Sequence, residues 1–108
     1  ENFYDDLREH NASDNVLLFM FSEFGRRITD NGSGTDHGAG SVAFVVGEHV
    51  KGGIYGDIAS LAPGDQEVGG NVKSTTDFRQ IYTTILEDWM GVDPVAVTGG
   101  NYEKVPFL

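Results

Sequence analysis

Asn15-Val16-Leu17-Leu18-Phe19-Met20-Phe21 is the stretch on which the fold turns. Six apolar residues follow Asn15 with no polar interruption, so nothing alternates between an inner and an outer face. A strand with one buried face alternates; one covered on both faces reads as a continuous run, the pattern of a parallel sheet. Just upstream, residues 3–10 read as the last turns of a helix, with Phe3, Tyr4 and Leu7 on one side and Asn11 as the stop. Helix end, short loop and buried strand are half of a crossover unit, which places the chain in the α/β class.

Working outward, Val42-Ala43-Phe44-Val45-Val46 is a second buried strand, ended by Gly47. Ile54-Tyr55, between Gly52-Gly53 and Gly56, is a weaker third. The intervening Ser22–Ser41 is a polar, glycine-rich connection; structureless loops beyond ~12–15 residues are uncommon in compact domains and are usually functional or disordered. Asp57–Lys73 carries Pro63, Gly64, Gly69 and Gly70 and reads as surface loop. The clearest element is a helix over Asp77–Met90. Phe78, Ile81, Tyr82, Ile85, Leu86, Trp89 and Met90 make one wide apolar stripe along it. Ser74, Thr75 and Thr76 are its N-cap candidates, Asp77 suits the positive helix end, and Gly91 is the natural stop. From Val92 onward, Pro94, Gly99, Gly100 and Pro106 predict an extended, loop-like tail.

Two strands apolar on both faces need helices on both sides, yet the inventory supplies one whole helix and the end of another. Either the chain self-associates through exposed sheet faces, or residues 1–108 are one partial domain of a larger sheet. The second reading is adopted.

Seven Lys and Arg against seventeen Asp and Glu give a net charge of −10, with no basic run. Such a chain repels phosphate backbones, which excludes nucleic acid as a partner. The absence of cysteine removes disulfides, thiolate metal sites and thiol nucleophiles together. No apolar run approaches the ~20 residues of a membrane span. No export signal opens the chain, and Arg26-Arg27 is followed by polar residues where an apolar region would stand. Glu1 in first place is what a processed, trimmed or partial product shows.

Ligands in open α/β sheets sit at the carboxyl ends of strands, where Ser22 and Glu23 must emerge. Asp36-His37 follows about a dozen residues later. Gly32, Gly34, Gly38 and Gly40 let the loop fold back, so that His37 can approach Glu23. Oxygen and imidazole ligands in this combination suit zinc, manganese or another divalent ion. Arg26 and Arg27 can neutralise Glu23 or present a guanidinium fork to an oxyanion substrate. The plainer alternatives are a turn or cap for Asp36, a backbone-bonded loop histidine for His37, and an ion pair for Glu23 and Arg26. His10 at a helix end and His49 beside Glu48 are surface histidines on this reading. Ser22 lacks a triad or nucleophile-elbow pattern. Asn11-Ala12-Ser13 and Asn31-Gly32-Ser33 match the glycosylation pattern, which short sequences meet by chance. Asp77 and Arg79 read as a helix start and a surface charge, Tyr82 and Trp89 as core.

Ser22-Glu23-Phe24-Gly25-Arg26, Thr35-Asp36-His37-Gly38, Lys51-Gly52-Gly53-Ile54-Tyr55-Gly56 and Thr75-Thr76-Asp77-Phe78-Arg79 occur in that order. Ile85-Leu86-Glu87-Asp88-Trp89-Met90-Gly91 and a closing Val105-Pro106-Phe107-Leu108 follow them. This succession resembles the C-terminal part of a bacterial family, domain of unknown function 1501, which is similar to the alkaline-phosphatase and sulfatase superfamily. The resemblance implies a three-layer α/β/α sandwich with a mostly parallel sheet, of which this chain is the last quarter or so. It implies a periplasmic or exported protein that hydrolyses phosphate or sulfate esters, small molecules or polysaccharides, with a divalent metal (zinc, manganese or calcium). Glu23 and His37 would ligate that metal and Asp36 would assist, while Arg26 and Ser22 would meet the substrate. Phe24 stands where the family pattern has a histidine ligand, and the nucleophile would lie upstream of Glu1. Alone, the chain would be catalytically incomplete, and a non-catalytic binding or structural module of the same fold is the alternative.

Overall fold

Residues 2–108 are described by a computed structural model of the chain. Helix α1 (Asn2–Glu9) forms where the sequence places it. Its stop is Asn11, in the left-handed region at φ 52°, where Asn is tolerated and where the Ala12 N–H reaches the Leu7 carbonyl at 2.8 Å. Tyr4 anchors the helix to the strands beyond: its hydroxyl donates to the Val16 carbonyl at 2.8 Å and lies 3.1 Å from that of Val46.

Strand β1 (Leu18–Met20) is shorter than the apolar run. After it come β2 (Gly25–Asp30) and β3 (Thr35–Gly38), which pair antiparallel as a hairpin inside the stretch expected to be a long loop. Then β4 (Phe44–Val46) returns to β1, also antiparallel, with Leu18 opposite Val46, Phe19 opposite Val45 and Met20 opposite Phe44. The expected three-layer α/β/α sandwich with a mostly parallel sheet is therefore wrong. Among the described residues the chain makes two separate two-stranded antiparallel sheets. The physical reason lies in the connection. A parallel pair needs a long crossover, usually a helix, between its strands, whereas a hairpin stands between β1 and β4 and sends the chain back antiparallel. Ile54-Tyr55 forms no strand, and 57–73 is loop apart from a 3₁₀ turn at Pro63–Asp65 and a bridge between Glu67 and Asn71.

Helix α2 (Phe78–Thr84) is capped by Asp77, not by Ser74, Thr75 or Thr76. The Asp77 carboxylate accepts from the Arg79 N–H at 2.9 Å, and the Gln80 side chain accepts from the Asp77 N–H at 3.1 Å, closing a capping box. The helix then widens into a π-helical turn over Ile85–Trp89 and stops at Gly91, with φ 66°. The tail is not wholly extended, because α3 (Val95–Thr98) interrupts it. Thr84, with no exposed surface, holds the tail: its hydroxyl accepts from the Val105 N–H at 2.9 Å and lies 2.9 Å from the Gln80 carbonyl.

One face of the β1–β4 pair packs toward α2. Phe19 stacks with Phe21 at 5.0 Å and meets Tyr82 edge-on at 5.9 Å. The other face carries Leu18, Met20, Phe44 and Val46 and is only partly covered among the described residues: Met20 is 50% exposed, Phe44 60% and Val46 40%, while Leu18 is half-buried. Among the described residues the one fully buried hydrophobic side chain is Phe107, 4% exposed. The molecule is a slab of 49 × 35 × 21 Å with a radius of gyration of 16.8 Å, against about 13 Å for a compact domain of this length. Its surface is 7540 Å², where a compact monomer of this mass shows about 5,900 Å². Among the described residues no helix is long and apolar enough to cross a membrane.

Candidate functional site

The glycine-rich stretch builds the β2–β3 hairpin through its turn chemistry. The Asp30 carboxylate accepts from the Gly32 N–H at 2.6 Å, the Asn31 side chain accepts from the Ser33 N–H at 3.0 Å, and the Asn31 N–H donates to the Gly34 carbonyl at 2.8 Å. At the base Gly25 faces Gly38, and both need to be glycine for close approach. A Cβ on Gly25 would overlap the Gly40 carbonyl, and one on Gly38 would lie 2.9 Å from both the Arg26 backbone and the Asn71 side chain. Into that space comes the segment 67–72. Gly70 accepts from the Ile28 N–H at 3.0 Å, and the Asn71 side chain accepts from the Ala39 N–H at 2.8 Å while donating to Glu67 at 2.6 Å. Arg27 closes the join, donating to the carbonyls of His37, Val68 and Gly69 at 3.2, 3.3 and 3.3 Å.

On the hairpin's open face Phe24, Arg26 and His37 come together. The His37 imidazole lies flat on the Phe24 ring, with centroids 3.5 Å apart and planes 13° from parallel. Arg26 sits with its guanidinium carbon 5.0 Å from the Phe24 centroid and donates to the Thr35 carbonyl at 2.8 Å. The loop does fold back, and it carries the imidazole to the residue beside Glu23. Glu23 itself is exposed in the bend between β1 and β2, as is Ser22, and among the described residues Glu23 makes no ion pair with Arg26 or any other group. Asp36 precedes His37 in β3, so the two side chains leave opposite faces of the strand. Its carboxylate accepts from the Asn31 amide at 2.7 Å. Among the described residues no three His, Asp or Glu side chains stand together to hold a metal ion. Glu23, Asp36 and His37 are thus not gathered into one ligand set in this arrangement, and the face of the His37 ring is taken up by its stack on Phe24.

Two other groupings have chemistry. Asp77 and Arg79 form a fork of hydrogen bonds at 2.9 and 2.6 Å, and Arg79 also lies over the Tyr102 ring, 4.4 Å from its centre. The Arg79 guanidinium, helped by the Arg79 N–H, holds the Asp77 carboxyl down to about 2. This pair fastens the start of α2 to the tail. The second is a polar cleft where His49 and Trp89 meet, ring centres 5.9 Å apart, with Asp14, Asn15 and Asp88 around them. Reading along the chain separates these residues, because the cleft joins four segments, Asp14-Asn15, His49, Asp88-Trp89 and Leu108, that only the tertiary structure brings together.

A family model described as "Protein of unknown function (DUF1501)" matches residues 1–104. No curated protein matches the chain, and no solved structure does.

Proposed function

This chain belongs to the DUF1501 family, and from that premise we propose that it is a non-catalytic binding or structural segment of a larger domain. The observation that carries this is the bare face of Leu18, Met20, Phe44 and Val46. An excess of roughly 1,600 Å² over a compact monomer's surface is the scale that one side of a permanent protein–protein contact buries. Isolated apolar residues at a surface need no explanation; Met20, Phe44 and Val46 exposed together on one sheet face do. Further polypeptide laid on that face would complete a core that the chain alone leaves thin. Export across the bacterial membrane belongs to the same proposal and has its support in the family resemblance.

Hydrolysis of phosphate or sulfate esters by a metal route would require an activated nucleophile and a ligand cluster to stabilise the developing charge. Among the described residues Glu23, Asp36 and His37 do not form such a cluster, which supports the non-catalytic reading. The test is metal content together with activity. Purified chain, dialysed against zinc, manganese or calcium, is expected to hold no stoichiometric ion and to cleave neither nitrophenyl phosphate nor nitrophenyl sulfate. One equivalent of bound metal that disappears in His37→Ala would overturn the non-catalytic reading.

A further inference from the structure

The single tryptophan of the chain stands where two depressions meet, and neither takes part in the reading above. The first is the polar cleft, about 550 Å³, lined by Asp14, Asn15, His49, Asp88, Trp89 and Leu108. The second is an apolar groove of about 390 Å³ on the α2 side of the strand pair, where Trp89 joins Leu17, Phe19, Tyr82, Leu86 and Val97. Both are open depressions of the surface, and Trp89 lines each of them. The backbone that carries Asp88 and Trp89 is the π-helical turn Ile85–Trp89. Such turns are rare and recur at functional sites because the extra width re-aims the side chains on them.

The charges in the cleft select the ligand. Asp88 is neutralised by Lys104 at 2.7 Å, which also reaches Glu87 at 3.2 Å. Asp14 has no lysine or arginine among the described residues. Its nearest positive candidate is the His49 ring nitrogen at 3.8 Å, beyond hydrogen-bond distance. One exposed carboxylate, faced by His49 and by no lysine or arginine among the described residues, therefore lines the same cleft as the indole, in a chain of net charge −10. A carboxylate and an aromatic face together attract a cation, and the groove next to them attracts an apolar body.

We propose that this junction binds an organic ammonium with an alkyl or aryl substituent, its charged head between Asp14 and the Trp89 indole and its tail in the groove. The site lies on the opposite side of the strand pair from the bare face, so it stands or falls independently of the structural reading.

Because Trp89 is the one tryptophan, its fluorescence reports the site directly. The whole chain is titrated with hexylammonium, methylammonium, 1-hexanol and methyl glucoside. Hexylammonium should give a saturable change and bind more tightly than methylammonium by up to about fourfold for each methylene that enters the groove. Asp14→Asn, an exposed position, should weaken hexylammonium about tenfold and leave hexanol unaffected. Val97→Asn should erase most of the difference between long and short amines. Added salt should weaken the amines and not the alcohol, a check that needs no variant. The proposal is overturned by hexanol binding as tightly as hexylammonium, by indifference to both Asp14→Asn and salt, by a response to methyl glucoside alone, or by no saturable response at all.

Discussion

The β2–β3 hairpin and the β1–β4 pair are both two-stranded and antiparallel, yet they are held by opposite means. The hairpin is fastened by its backbone: Gly25 and Gly38 let chains approach closely, and Asn71 and Arg27 bind carbonyls and amides of the neighbouring segment. The β1–β4 pair has apolar side chains on both faces, and only the α2 face is packed. A two-stranded ribbon is marginal by itself, so each needs outside support. The hairpin finds it within the chain, in residues 67–72; the apolar pair finds half of it. The hairpin should accordingly be intolerant of any added atom, and the bare face indifferent to loss of atoms.

The largest expected effect tests the first half of that contrast. Gly25→Ala sets a methyl against the Gly40 carbonyl, which the backbone must move to admit. The cost should reach about 3 kcal/mol, or a melting midpoint lower by roughly 12 °C. Hydrogen exchange at the Ile28 and Ala39 amides should accelerate with it, since both bond to the segment 67–72. Gly52→Ala, where nothing lies within 4 Å of the added atom, is the neutral control. Equal melting of the two variants would mean that close approach does not hold the hairpin.

Next in size is the buried threonine pair, which separates a bonded hydroxyl from an orphan at neighbouring positions. Thr84→Val removes the acceptor of the Val105 N–H and should cost about 1–3 kcal/mol, with the Val105 amide exchanging faster. Thr83 is 3% exposed, and its hydroxyl has no partner in the structure. Thr83→Val should leave stability unchanged or raise it, by up to about 1 kcal/mol.

What could be read along the chain follows the same division. The α2 stripe, its stop at Gly91, helix α1 and the positions of β1 and β4 are legible because apolar spacing records which residues seek cover. Spacing does not record what provides the cover. An uninterrupted run such as Val16–Phe21 says that both faces are apolar, and it is equally compatible with a parallel sheet and with the antiparallel pair that forms. The hairpin left no periodic trace: its register rests on Gly25, Gly38 and a segment about forty residues away. The same holds for the candidate site. Glycines folding the loop back was legible, but the imidazole's partner, Phe24, depended on register. The Trp89 cleft depended on topology, and α3, four residues long behind Pro94, is too short to show a pattern.

Asp77 tests the helix start at a smaller scale. Asp77→Ala loses the cap and should cost about 1 kcal/mol. Its pH dependence has a definite sign. The folded carboxyl sits at about 2 against an ordinary 3.8, so its contribution is complete above pH 3.8 and disappears as pH falls toward 2. Denaturation curves of the parent and Asp77→Ala should differ at pH 6 and converge at the acid end. A gap that persists at the lowest pH would assign the effect to something other than the charged carboxylate.

The smallest effect bears on the bare face and is the most informative for its role. In the monomeric chain Met20 and Phe44 already expose half or more of their surface, so little burial is lost when they shrink. The double substitution Met20→Ser, Phe44→Ser should change stability by no more than about 0.5 kcal/mol, while binding of a hydrophobic dye falls and solubility rises. Truncating two side chains that are covered in solution would behave differently, costing several kcal/mol because transfer and cavity terms are then both incurred. A loss on that scale would show that another copy of the chain already occupies the face, and it would move with protein concentration. A near-zero change instead means that Leu18, Met20, Phe44 and Val46 acquire their stabilising value only when further polypeptide is laid across them.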